Sequence, residues 1–244
     1  MSKRLIWTFA VGHFALGYLF GKGSSKLAKV KINLPLLLVA SVLPDIDLLL
    51  RFITHRGPTH SFITITALMI PFFVVYRKQA IPYYAALLSH IFIGDFFTGG
   101  IQLLWPLSRS WIGVLNLAVT SLPSAVIELV LFGLTLPIMY KLGDLQTLLR
   151  FNSQSWFLII PFGATLGPLF SLGRGQESAL PVLLVLPSVF YLVLFSISLI
   201  VWLRGKFDPD RIGTKVKLEK LIKNKLAIKQ TSKKQRAIND GKVK

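Results

Sequence analysis

ALPVLLVLPSVFYLVLFSISLIVWL, residues 179–203, runs for 25 positions without a charged side chain. As a helix rising 1.5 Å per residue it would extend about 38 Å, more than the roughly 30 Å hydrocarbon core of a bilayer. A soluble domain has no use for a helix that is apolar on every face, so this stretch predicts a transmembrane span.

The sequence changes character at its C-terminal end. Residues 204–244 carry 14 Lys/Arg against 4 Asp/Glu. No aromatic platform or nucleic-acid motif accompanies this charge, so nucleic acid is not the expected partner. The tail reads as a juxtamembrane segment facing anionic lipid in the cytoplasm. Leu218, Leu221, Ile222 and Leu226 have helical spacing, so part of it is expected to lie on the membrane surface.

Towards the N-terminus, further apolar runs occupy about 5–21, 32–50, 60–76, 80–97, 112–140 and 155–172. The run at 112–140 contains Pro123 and Pro137 and reads either as one kinked span or as a re-entrant piece followed by a span. The first run lacks a small-residue cleavage site, so a cleaved signal peptide is not expected. Across all 244 residues the hydrophobic fraction is 53%, the charged fraction 16% and the mean hydropathy +0.62. These values exclude disorder and most soluble folds. The absence of cysteine excludes disulfide scaffolds, thiolate zinc sites and a cysteine nucleophile.

The prediction is therefore an all-α polytopic bundle of about seven spans over residues 1–203, followed by a basic tail at 204–244. With the tail in the cytoplasm, 22 basic residues fall on that side and 6 on the other, in keeping with the positive-inside rule.

Polar chemistry is scarce and concentrated. All four histidines, His13, His55, His60 and His90, lie in the first 90 residues, close to Asp45, Asp47 and Asp95. Runs two and four end, and run three begins, at these residues. Alternating spans then bring Asp45, Asp47, His60, His90 and Asp95 to one membrane face, the extracytoplasmic one. His13, inside run one, can reach the same face. Ionisable groups at membrane depth cost about 2.5–3.5 kcal/mol each and usually have a partner or a function. Imidazole nitrogens with carboxylate oxygens form a ligand set for zinc, manganese or iron.

Each residue also has an ordinary structural explanation. His13 could be a satisfied core histidine. Asp45 could pair with Arg51 or Arg56, HRGP could be a turn, and Thr59 could cap run three. Arg56 suits either an anionic oxygen or an aspartate.

Spacing adds two constraints. Asp45 and Asp47 would point about 200° apart on an α-helix, so they need unwound backbone or serve different ions. His90 and Asp95 would stand about 140° apart, so sharing a site requires a π-type bulge or an earlier helix end, and Gly94 eases such irregularity.

GHFALGY (12–18), LPDID (43–47), HRGPTHS (55–61), SHIFIGDFFTGG (89–100) and LLWP (103–106) together resemble the YdjM-type family of membrane-bound metal-dependent hydrolases, also called LexA-binding inner-membrane hydrolases. The resemblance covers about residues 8–110. It implies a multi-spanning protein of the inner (cytoplasmic) membrane with a divalent metal site, zinc favoured, and hydrolase activity. His13, Asp45, Asp47, His60, His90 and Asp95 match the family's polar positions and become the implied metal ligands. His55 and Arg56 beside them become the candidates for catalytic roles. The family more often places His and Asp four apart where this chain has five. A remoter similarity to zinc-dependent phospholipase C and P1-type nucleases points to phosphoester substrates. The rival reading is a non-enzymatic cation-binding or transport protein, although no second copy of the motif set occurs in 111–203.

Overall fold

The computed structural model describes residues 10–50, 52–96, 99–115, 117, 121–172 and 182–208. The described residues are helical, and their one β-bridge joins Ile101 to Ile112. The helices are α1 (Ala10–Ala28), α2 (Leu34–Val42), α3 (Phe62–Tyr76), α4 (Ile81–Ser89), α5 (Leu122–Lys141), α6 (Asp144–Leu148), α7 (Ile159–Leu172) and α8 (Val182–Lys206).

Helix α1 is the central element. Phe14 and Tyr18 are fully buried, and Phe14 meets Tyr191 and Phe195 of α8 at ring centroid distances of 5.0 and 5.4 Å. Helix α2 closes on α1 over small residues. A Cβ on Gly17 would lie 3.1 Å from Ser41 Cα, so this approach requires glycine. Close contact through small residues is the usual solution where lipid offers no hydrophobic drive between helices. Outward faces of α3, α5 and α8 expose Leu68, Val74, Leu134 and Leu186, as lipid-facing surfaces do.

Among the described residues three helical stretches are long and apolar enough to cross a membrane: Phe62–Asp95, Leu122–Lys141 and Val182–Lys206. The first, 34 residues, is folded in two. Arg77 has a φ of 49°, and Phe73 meets Tyr84 at 5.4 Å while Phe62 meets Phe92 at 5.7 Å. Residues 30 apart cannot touch along a straight helix, so α3 and α4 form an antiparallel hairpin. Runs three and four of the sequence are its two arms.

Run two is helical in two pitches. Helix α2 ends at Val42 and a 3-10 segment carries Leu43–Leu49. The two together extend about 28 Å. In run five the helix begins only at Leu122, with Pro123 in its first turn and Pro137 inside it. It is one helix preceded by irregular chain at 112–115. The charged tail beyond Asp208, with the helical spacing expected there, lies outside the described residues.

Helix α1 also joins two polar layers. At the end opposite the histidines, the buried carboxylate of Asp144 accepts from the Tyr18 hydroxyl at 2.6 Å and the Lys22 ammonium at 2.5 Å.

Candidate metal centre

Four segments converge at one end of the bundle: the 3-10 segment after α2, the HRGPTHS turn before α3, the end of α4, and the start of α1. Local structure explains how each delivers its side chain.

The five-residue spacing of His90 and Asp95 is met by a π-helical turn over His90–Asp95, closed by Phe96 N–H donating to Ile91 O. An i→i+5 turn stacks residues five apart. His90 Nε2 and Asp95 Oδ2 accordingly lie 3.1 Å apart.

The 3-10 segment has three residues per turn, so Asp45 and Asp47 point in different directions. Asp45 faces His60 and His90. Asp47 faces the turn. One of its oxygens meets His55 Nδ1 at 2.9 Å. The other accepts from Thr59 Oγ1 at 2.6 Å and Arg56 N–H at 3.1 Å, and lies 3.2 Å from His60 Nδ1. Thr59 is thus a partner of Asp47. The N-cap of α3 is Ser61, whose side chain accepts from Thr64 N–H. The Ser61 hydroxyl also donates to Trp105 O at 2.6 Å, which ties LLWP to the turn.

His60 and His90 are fully buried. His90 Nδ1–H donates to Ser41 O at 2.7 Å, leaving Nε2 as the atom available to a ligand. His60 Nδ1–H faces Asp47, so its Nε2 is presented as well. The two Nε2 atoms are 3.2 Å apart. His60 Nε2 lies 3.3 Å from Asp45 Oδ1 and 2.9 Å from Asp95 Oδ2, and His90 Nε2 lies 3.5 Å from Asp45 Oδ1.

This donor set fits a small divalent ion. Four ligands at zinc distances of about 2.0–2.1 Å form a tetrahedron with edges of about 3.3–3.4 Å. The five edges given above, His90–Asp95 included, span 2.9–3.5 Å. Asp45, His60, His90 and Asp95 form one group able to hold a metal, and Asp47, His55 and His60 form a second that shares His60. Behind the ligating nitrogens stand a carboxylate and a carbonyl, the usual second shell of metal-bound histidine.

The remaining candidates surround this group. Arg56, in a left-handed conformation with φ 62°, pairs with Asp95 Oδ1 at 2.7 Å while Oδ2 faces the histidines. His55 Nε2 is buried without a hydrogen-bond partner among the described residues. His13 lies outside both groups. Its ring stacks on that of His90 at 3.9 Å and 19°, and its Nδ1 is buried without a hydrogen-bond partner. Stacked in this way, the His13 ring presents a face to its neighbour. Gly94 permits this placement, because a Cβ there would come within 2.7 Å of His13 Nδ1.

One nearby group was missed by the sequence reading. Glu128, half-buried on α5, accepts from Gly12 N–H at 3.0 Å. The signal was present, since it is the one acid in LPSAVIELVLFGLTLPIMYK (122–141) and intramembrane acids are rare.

Comparison with known proteins gives one result. A family model described as YdjM inner membrane protein matches residues 9–203. No curated protein and no solved structure matches the chain.

Proposed function

The chain belongs to the YdjM inner membrane protein family, and we propose that it is a metal-dependent hydrolase of the membrane acting on a phosphoester or related lipid-proximal substrate. The convergence of Asp45, His60, His90 and Asp95, whose ligand atoms all lie within 4.8 Å of one another, carries this reading. These four side chains would hold the ion, zinc by preference, with manganese or iron as the other metals the donors suit. A divalent cation there supplies Lewis-acid chemistry, acidifying a coordinated water and polarising an ester oxygen.

The chain's own groups do the rest. Asp47 and the Ser41 carbonyl fix the tautomers and ring planes of His60 and His90. Arg56 orients Asp95 and brings a permanent positive charge to the site, suited to an anionic phosphoryl group. His55 offers a buried, unsatisfied nitrogen for a substrate hydrogen bond, and His13 closes the side of the site over His90. We place about seven membrane-crossing segments in residues 1–203, the basic tail in the cytoplasm against anionic lipid, and the site towards the extracytoplasmic face.

The test is elemental analysis of the detergent-purified protein alongside Asp45→Ala and His60→Ala, followed by a phosphoester panel. Stoichiometric metal lost in both variants is expected, with hydrolysis by the parent. No bound metal despite supply during expression would overturn the reading. Bound metal without hydrolysis of any phosphoester would favour a cation-binding or transport protein.

A further inference from the structure

Glu128 is an acidic side chain on an apolar helix, and it accepts from a backbone amide of a different helix. Gly12 lies on α1, and its N–H donates to Glu128 Oε2 at 3.0 Å. The contact is matched on both sides. A Cβ at position 12 would lie 2.8 Å from Glu128 Cγ, so only glycine lets the carboxylate reach the amide.

The next residue along α1 is His13, whose ring lies flat on His90 and against the backbone of Gly94. One continuous set of contacts thus runs from α5 through α1 to a side chain of the four-residue group: Glu128 to Gly12, His13, then His90. A carboxylate that pairs with this amide sits beside His13 along α1. It is thus fastened one residue away from the histidine that covers the candidate metal centre.

We propose that Glu128 is a positioning residue of this centre. By accepting from Gly12 N–H it holds α1 against α5 at that level and so sets the His13 ring on His90. The proposal rests on reading the His/Asp group as a metal site. Its mechanism is reach and hydrogen-bond acceptance, and charge is not required. Glu128→Gln keeps an acceptor oxygen at the same reach. Glu128→Asp keeps the charge but withdraws it by one methylene, and Glu128→Ala removes it.

Two measurements on the full-length protein in detergent decide the matter. The first is zinc affinity together with the visible absorption of the Co2+-loaded protein. Glu128 acts one step further out than the outer-shell partners whose loss weakens metal binding about 10–100-fold, so its loss should weaken binding several-fold. We expect that loss, with an altered Co2+ spectrum, for Glu128→Ala and Glu128→Asp, and near-parental behaviour for Glu128→Gln. The second needs no metal. Because the chain has no cysteine, the double variant His13→Cys/Gly94→Cys can be joined by a short thiol crosslinker. Its yield should fall when Glu128→Asp or Glu128→Ala is added and persist with Glu128→Gln. Should the alanine variant fail to fold, the Asp and Gln variants carry both comparisons. Unchanged crosslinking and affinity in the aspartate variant, or a glutamine variant as impaired as the aspartate one, would overturn the proposal. A parent that binds no metal would overturn the proposed function, while the crosslinking arm still decides the role of Glu128.

Discussion

Replacing Asp47 by Asn separates a metal ligand from a residue that orients one. Four donors converge on the Asp47 carboxylate: His55 Nδ1, Arg56 N–H, Thr59 Oγ1 and His60 Nδ1. Asparagine is nearly isosteric, with one acceptor oxygen in place of two. If that oxygen keeps Thr59 and the Arg56 amide, its NH2 faces His55 and His60 loses its charged partner. A hydrogen bond to a charged group contributes about 1.5–3 kcal/mol, equivalent to roughly 10–150-fold in a dissociation constant. Outer-shell partners of metal-bound histidine measured elsewhere contribute about 10–100-fold, so the two estimates agree. The expected result is stoichiometric zinc bound about 10–100-fold more weakly, read by competition with a chromophoric chelator. Asp45→Asn, which removes an acceptor facing both Nε2 atoms, should lose tight binding altogether. An Asp47→Asn affinity within about threefold of the parent would refute the orienting role. A loss as complete as that of Asp45→Asn would make Asp47 a ligand, in the group it forms with His55 and His60.

Gly94→Ala should weaken zinc binding several-fold and alter the Co2+ spectrum, because the added methyl meets the His13 ring and lifts it from His90. Gly17→Leu, at the α1–α2 contact, should destabilise the folded protein by about 1–3 kcal/mol through overpacking, read as a lower melting temperature in detergent. Asp144→Ala leaves the largely buried Lys22 and Tyr18 without their acceptor and should cost up to about 3 kcal/mol by the same measurement. A tag at the C-terminus should resist protease in intact cells and be cut after permeabilisation, and cleavage in intact cells would invert the proposed orientation.

Much of the site was legible because its residues are rare in an apolar chain. The spacing of His90 and Asp95 required either a π-type turn or an early helix end, and the π-turn is what the chain forms. The two-residue spacing of Asp45 and Asp47 required extended or unwound backbone or divided duties; the chain instead winds more tightly there, as a 3-10 segment, and turns the two carboxylates apart. What remained hidden depends on orientation in space. Nothing in the spacing of His13 distinguishes a nitrogen aimed at an ion from a ring laid on its neighbour. Arg56 suited aspartate and anion equally until Asp95 was found 2.7 Å away. Glu128 was visible as a lone acid, but its importance comes from Gly12, 116 positions earlier. Hydropathy marked the apolar runs without registering pitch, so the change from α to 3-10 winding at Leu43 could not be read from it.

The two polar layers joined by α1 bear on how the protein sits in lipid. His13 and Lys22 are nine residues apart on one helix, so their Cα atoms are separated by only about 14 Å along its axis. An undeformed hydrocarbon core is about 30 Å thick. Both layers cannot then rest at opposite interfaces of a flat bilayer. At least one of the two layers therefore lies below an interface, where its polar groups rely on one another as partners. For the hydrolase proposed above, a site set below the headgroup plane would favour amphiphiles that can follow their own tails inward over freely soluble esters.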